Sequence, residues 1–287
     1  MHDFHYRLPA RMGGQRPGAH AGSSRGPGME FISHQSLYNQ PDPRRLDVRA
    51  SLREPRGDWL VRVSRQRVSV PVYVVADVSP SMAFGAKHSK LQVLADFAEA
   101  AGHSAFRAGD PAGLIAFDYS EREDLFRPAA LSRGAGQQLA APLRLAPVSR
   151  AMPAKANLAA GLLQAAQRLA GRQALVFLAS DFHWPLAPLD DVLGLLARAC
   201  VVPVVIWDPA ELEPPAEDGL VVLRDAENAS RRTLWLRPRL RQQWRAAVAA
   251  RRDALKAFFE QRGLRPFYVE GAFNAEAMSE YFLEANL

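Results

Sequence analysis

Four near-continuous apolar runs constrain what this chain can become: VPVYVVAD (70–77), AGLIAFD (112–118), ALVFLASD (174–181) and ACVVPVVIWD (199–208). Runs of this length that do not alternate with polar residues suit strands buried on both faces, the condition of a parallel sheet covered by helices. A weaker strand is read at EDLFRP (123–128). The segments between the runs carry a helical period. KLQVLADFAEAAGHSAFRAGD (90–110) sets Leu91, Leu94, Ala95, Ala98, Ala101 and Ala105 close to one face, and ANLAAGLLQAAQRLAG (156–171) does the same through Leu158, Leu162, Ala165 and Leu169 before Gly171 stops it. PLDDVLGLLARA (188–199) is a third helix. Strands alternating with crossover helices form right-handed βαβ units, so the fold class predicted is α/β, a doubly wound, mostly parallel sheet.

The flanks read differently. Residues 10–28, ARMGGQRPGAHAGSSRGPG, are rich in Gly, Ser and Pro and are expected to be a mobile arm or loop. A Pro-broken patch, QPDPRRLDV, and a strand at WLVRVS follow, and residues 1–66 are taken as an N-terminal arm ahead of a domain spanning 67–287. GLVVLRDAENASRRTLWL (219–236) has two apolar runs around a polar turn and predicts an inserted hairpin. A long helix over 238–262 carries Leu240, Trp244, Val248, Leu255 and Phe259 on one stripe. LRPFYVEG (264–271) is read as a last strand, with a short helix from Asn274.

Composition removes several function classes. The single cysteine, Cys200, leaves no disulfide framework and no cysteine-based zinc site. The sequence has no secretory apolar core and no run approaching 18 apolar residues, so a cytoplasmic protein without a membrane span is expected. Residues 1–67 hold twelve arginines against six acids, which equals the formal excess of +6, and RPRLRQQWRAAVAARRDALK is a second basic run. These arginines are interleaved with apolar positions and lack any RNP-like, zinc-finger or KH signature, so nucleic acid is not the expected partner. The seven histidines show no metalloprotease spacing, no serine sits in a G-x-S-x-G elbow, and there is no P-loop.

What remains is a cluster of hard oxygen donors. Asp77, Ser79 and Ser81 form a D-x-S-x-S pattern directly after the first central strand, and Asp181 ends the third of the long runs. Ligands of open α/β sheets sit at the carboxyl ends of the strands where the strand order reverses. If the two strands are neighbours, two carboxylates and two hydroxyls share one crevice, an all-oxygen set suited to Mg²⁺ or Ca²⁺. The plainer alternative is that the aspartates cap turns and that Ser-Pro-Ser is turn chemistry.

VVADVSPSM, followed a hundred residues later by LASDF, resembles the metal-ion-dependent adhesion site of von Willebrand factor A domains. GAHAGSSRGPGMEFISHQSLYNQPDPRRLDVRASLRE, DVSPSMAFG, the Ser89-Lys90 pair and GDPAGLIAFD narrow this to a bacterial family of such domains encoded beside MoxR-type AAA+ ATPases. The resemblance implies metal ligation by Asp77, Ser79, Ser81 and Asp181. It implies a further ligand from MPAKANLAAGL, where Ala156 or Asn157 stands in place of a threonine, so that Asn157 is the remaining candidate and the site is partly degenerate. Phe84, His183 and Trp184 flank this crevice in sequence and are the candidates for a partner-docking rim, with buried packing of the two aromatics and a loop position for His183 as the plainer alternatives. The implied role is a non-enzymatic accessory protein that works with a MoxR-type ATPase in maturation, assembly or metal and cofactor insertion of a client. Because the family includes a methanol-oxidation accessory protein, a methanol dehydrogenase is one such client. Two alternatives stand beside it: a metal-free scaffold or adaptor using the Arg-rich arm toward an anionic partner or nucleic acid, and an aspartyl-phosphate phosphatase. The second lacks its proton donor, since Ser79 occupies the position where an acid is required.

Overall fold

The computed structural model describes residues 3–8, 17–26, 30–146, 158–224 and 231–284. The N-terminal part holds strands β1 (Pro17–Gly26), β2 (Glu30–Ser36) and β3 (Leu60–Val68), with a one-turn helix α1 (Val48–Ser51) between the last two. The central part runs β4 (Val72–Asp77), α2 (Lys90–Ala108), β5 (Ala112–Phe117), β6 (Glu121–Ala130), α3 (Ala135–Leu145), α4 (Leu158–Gln167), β7 (Leu175–Ser180), α5 (Leu189–Leu195) and β8 (Cys200–Trp207). The C-terminal part adds α6 (Pro209–Leu212), the hairpin β9 (Gly219–Arg224) and β10 (Arg231–Leu236), α7 (Pro238–Glu260), β11 (Phe267–Glu270) and α8 (Ala275–Glu284).

The main sheet has the order β11-β8-β7-β4-β5-β6. Every adjacent pair in it is parallel except β5–β6, where the weakly predicted strand returns antiparallel along the edge. The apolar runs form the centre because both of their faces are covered. Alternate residues of β4 take part in two separate cores: Val72, Val74 and Ala76 pack with α2, α3 and α8, whereas Tyr73 and Val75 pack with α4, α5 and the end of α7. This is the doubly wound α/β arrangement that the strand and helix patterns predict. After β5 and β6 are laid on one side of β4, the chain crosses to place β7 on its other side, so the order reverses between β4 and β7.

Local chemistry sets the helix ends. Ser89 and Gln92 make a reciprocal capping box at the start of α2, and Gly109 ends it in the left-handed region at φ 75°. Gly102 lets α2 and α3 approach closely, since a Cβ there would lie 2.6 Å from the backbone of Gly136. The stripe on α7 is only partly used: Leu255 and Phe259 are buried, while Leu240, Trp244 and Val248 remain half-exposed.

Two expectations about the N-terminus change. The Gly/Ser-rich stretch was expected as a mobile arm, but Pro17–Gly26 is a strand paired antiparallel with β3, which is itself flanked by β2. The pairing with β3 is a long-range contact that composition does not register, which is why composition alone points to a loop. His20 is fastened by its Nε2, 2.5 Å from Asp110 Oδ2, and the Tyr6 hydroxyl donates to the same oxygen at 2.5 Å. Further in, Phe4 is 3% exposed and meets the rings of Phe97, Phe177, Phe273 and Phe282. In the Pro-broken patch, Asp47 caps α1 by accepting from the Ala50 N–H and faces His34 at 3.1 Å and Arg62 at 3.5 Å.

If Phe4 is core, truncating it must cost what a buried ring costs. Phe4→Ala in the full chain is expected to lower unfolding free energy by about 3 kcal/mol or more. Urea denaturation measures this, and an unchanged midpoint would return residues 3–8 to the status of an arm.

Candidate functional site

Four strands of the main sheet run into an aspartate, and three of these aspartates, Asp77, Asp181 and Asp208, follow the adjacent strands β4, β7 and β8. Ala76 of β4 lies in register with Ala179 of β7, so Asp77 and Asp181 do face one crevice at the point of strand reversal. Both carboxylates are fully buried.

Each is held by short-range donors. Asp77 Oδ1 accepts from the Ser79 N–H at 2.9 Å and Asp77 Oδ2 from the Ser180 hydroxyl at 2.6 Å. The Ser79 and Ser81 hydroxyls are 3.1 Å apart on the 3₁₀ turn Pro80–Ala83. Asp181 Oδ1 accepts from the His183 N–H at 3.1 Å, and the Asp181 carbonyl accepts from Trp207 Nε1 at 2.9 Å. Asp181 Oδ2 takes a different partner. The Lys90 ammonium lies 2.7 Å from it and 2.7 Å from Glu211 Oε1, with the lysine side chain only 1% exposed.

This lysine decides the electrostatics. Burial pushes the Asp77 carboxyl up to about 7, and the nearby Asp181 charge pushes the same way against the hydrogen bonds from Ser180 and Ser79. Burial would also raise Asp181, yet Lys90 and His183 hold it below the ordinary carboxylate range. Burial opposes the charge on Lys90, and the two carboxylates overcome it and raise its pKa. Two neighbouring carboxylates driven in opposite directions within a crevice make this edge of the sheet the candidate functional site.

The rim is made of two of the three predicted residues. Phe84 is 45% exposed and closes the turn after Ser81. His183 is exposed, and its ring stacks on Trp207 at 5.9 Å with Nε2 3.8 Å from Glu211 Oε2. Trp184 is not on the rim. It is 8% exposed, packs beside Phe182 and donates from Nε1 to the Ser180 hydroxyl at 3.2 Å. The reason is the backbone of Phe182, which takes φ 51° and turns the chain back into the core. That left-handed residue is held by its own N–H on Ser180 Oγ and by the Arg251 guanidinium on its carbonyl. Beside the rim, a cavity of about 340 Å³ is lined by His183, Trp207, Glu211, Leu212, Trp244 and Val248.

Residues 38–254 match the family described as protein of unknown function DUF58, which is well over half of the chain. The chain belongs to the DUF58 family. Among curated proteins, it is 28% identical over 244 residues to the uncharacterized protein Rv1480 of Mycobacterium tuberculosis and to Mb1516 of Mycobacterium bovis, covering 84% of this chain and 74% of each relative. Among solved structures, it aligns with the conserved hypothetical protein BatB of Bacteroides thetaiotaomicron at a TM-score of 0.45 and 14% identity, covering 76% of this chain and 97% of that one. An aerotolerance-related membrane protein of Bacteroides fragilis aligns at 0.43 and 14%, covering 76% and 98%. In this DUF58 chain, no helix among the described residues is long and apolar enough to cross a membrane.

Does the crevice fit the divalent cation that the motif implies? The hydroxyls of Ser79 and Ser81 and the two carboxylates are the right donor types. Asn157, the candidate last ligand, lies outside the described residues. Among the described residues no three His, Cys, Asp or Glu side chains are grouped as a metal site. Both oxygens of each aspartate are engaged by internal donors, one of them a buried ammonium. A dication would have to take an Asp181 oxygen from the Lys90 ammonium or lie beside that like charge, and it would have to break the Ser79 and Ser180 hydrogen bonds to reach Asp77. The set therefore does not fit a divalent cation while Lys90 is in place.

Reading the motif alone identifies Asp77, Ser79, Ser81 and Asp181 but misses Lys90, Glu211, Ser180 and Arg251. Lys90 had one local signal, a cation at the first position of an otherwise apolar helix face. Glu211 had another, the Asp208-Pro-Ala-Glu211 capping box that starts α6.

The Ser180 hydroxyl donates to Asp77 and accepts from both Phe182 N–H and Trp184 Nε1. Ser180→Ala leaves all three buried groups short of a partner and is expected to destabilise the chain by about 2–3 kcal/mol. Denaturation followed by tryptophan fluorescence checks it; a shift below the error of the midpoint would mean the network is not formed.

Proposed function

We propose that this DUF58 chain is a non-enzymatic docking module whose binding surface is the carboxyl edge of the sheet around β4, β7 and β8. The observation that carries this reading is the arrangement at the strand reversal. A buried, internally satisfied charge cluster lies beneath an exposed aromatic rim and opens beside an apolar recess. A satisfied cluster fixes the geometry of a surface without offering a reactive group. Asp77, the residue an aspartyl-phosphate mechanism would need as nucleophile, is fully buried with both oxygens hydrogen-bonded. Exposed Phe84 and the recess between α6 and α7 supply what interfaces use for anchoring: a ring to insert and a pocket to fill.

The partner we propose is a MoxR-type AAA+ ATPase, on the strength of the sequence resemblance. The module would act with it in maturation or assembly of a client protein, including metal or cofactor insertion. A methanol dehydrogenase is the client that the methanol-oxidation members of that group suggest. The open pocket supports a protein contact here because Trp244 and Val248, which belong to the predicted core stripe of α7, are left half-exposed around it.

The test is capture of a MoxR-type ATPase from the same organism, with and without nucleotide. Phe84→Ala and Ala247→Arg, the second placed at the recess, are each expected to weaken capture by about tenfold or more. Both residues are exposed, so melting temperature should hold within about a degree. Capture by neither nucleotide state, or capture indifferent to both variants, would remove this surface as the docking site.

A further inference from the structure

We propose that Lys90 is the resident cation of this crevice. Its ammonium supplies, covalently tethered, the positive charge that a divalent metal would bring, and the wild-type edge is held together without metal. Three observations carry this. The ammonium is buried and bridges two carboxylates from different elements, Asp181 after β7 and Glu211 on α6, at 2.7 Å each. It stands at the first position of α2, where the helix N-terminus disfavours a cation, and the first turn of that helix holds no acid to compensate. So nothing in the local sequence places a lysine there; only the distant carboxylates do. Finally, the Lys90 N–H donates to the Phe84 carbonyl at 2.8 Å, and the ammonium lies 6.0 Å from the Phe84 ring centroid. One residue therefore fastens the Ser79–Ser81 turn to the Asp181 side of the crevice, the joining role that a shared metal would play.

The proposal concerns the ion and not the partner, so it stands or fails apart from the docking reading. The full-length wild type is titrated with Mn²⁺, followed by the free-ion electron paramagnetic resonance signal, and its melting temperature is compared in EDTA, Mg²⁺, Mn²⁺ and Ca²⁺. The wild type is expected to show no saturable Mn²⁺ binding and no ion-dependent shift. Lys90→Met should melt several degrees lower in EDTA, regain the loss with Mn²⁺, and bind that ion at least about tenfold more tightly than wild type. Lys90→Met combined with Asp181→Asn removes the charge together with its partner; it should melt higher in EDTA than the single variant and lose the Mn²⁺ response. Saturable Mn²⁺ binding by the wild type that Asp77→Ala abolishes would overturn the proposal. So would a Lys90→Met protein as stable as wild type in EDTA and unresponsive to metal. Should the single variant not fold, the wild-type titration decides alone.

Discussion

A lysine ammonium buried against Asp181 is the interaction on which the carboxyl edge of this sheet depends. Moving an ammonium out of water costs several kcal/mol, and a helix N-terminus adds to the penalty. The position is tolerable only because two carboxylates, brought by β7 and α6, meet it there. Remove the lysine, and Asp181 and Asp77 become two buried like charges in one crevice. The two carboxyls part company for this reason: burial and the Asp181 charge raise Asp77, whereas Lys90 meets the same burial at Asp181 and holds that carboxyl low. The same residue also anchors the end of the turn carrying Ser79 and Ser81, through its backbone N–H on the Phe84 carbonyl.

The strands and their alternation were legible because burial on both faces leaves little freedom of composition: β4, β5, β7 and β8 fall within the four apolar runs. Asp77, Ser79 and Ser81 were legible as a local pattern, and Asp181 became so once β7 proved to be the neighbour of β4. What was not legible is long-range pairing. Lys90 is separated from Asp181 by 91 residues and from Glu211 by 121. No spacing rule links such positions. Trp184 misled for a related reason: nearness to Asp181 in sequence suggested the rim, but one left-handed residue between them reverses the chain.

The N-terminus teaches the converse lesson. Glycine and serine lower the intrinsic preference for strand, and the expectation of a loop over 10–28 is what propensity alone would give. Propensity lost to context at Pro17–Gly26, because β3 offered an unpaired edge and Asp110 a buried acceptor for His20 and Tyr6. Phe4, Tyr6 and Leu8 do alternate along the first residues and all meet the core, but three positions are too short a repeat to stand out from the polar residues between them. These contacts lie away from the crevice. They tie the flanking sheet and the first residues to the base of α2, whose opposite end bears Lys90, so one helix spans from the N-terminal clasp to the candidate site.

A tethered cation and an exchangeable one differ in what can control them. An exchangeable metal makes a surface conditional on the free ion, with a stabilisation that grows as the logarithm of its concentration relative to Kd. A lysine on a rigid helix cannot be withdrawn, so the edge it organises is always formed. Regulation must then come from outside the crevice, through whatever covers Phe84, His183 and the recess beside α7. Any partner that cycles between shapes would supply that control, since each of its states presents a different complement to a surface that itself does not change. The physical division is that the D-x-S-x-S turn sets the shape and Lys90 keeps it.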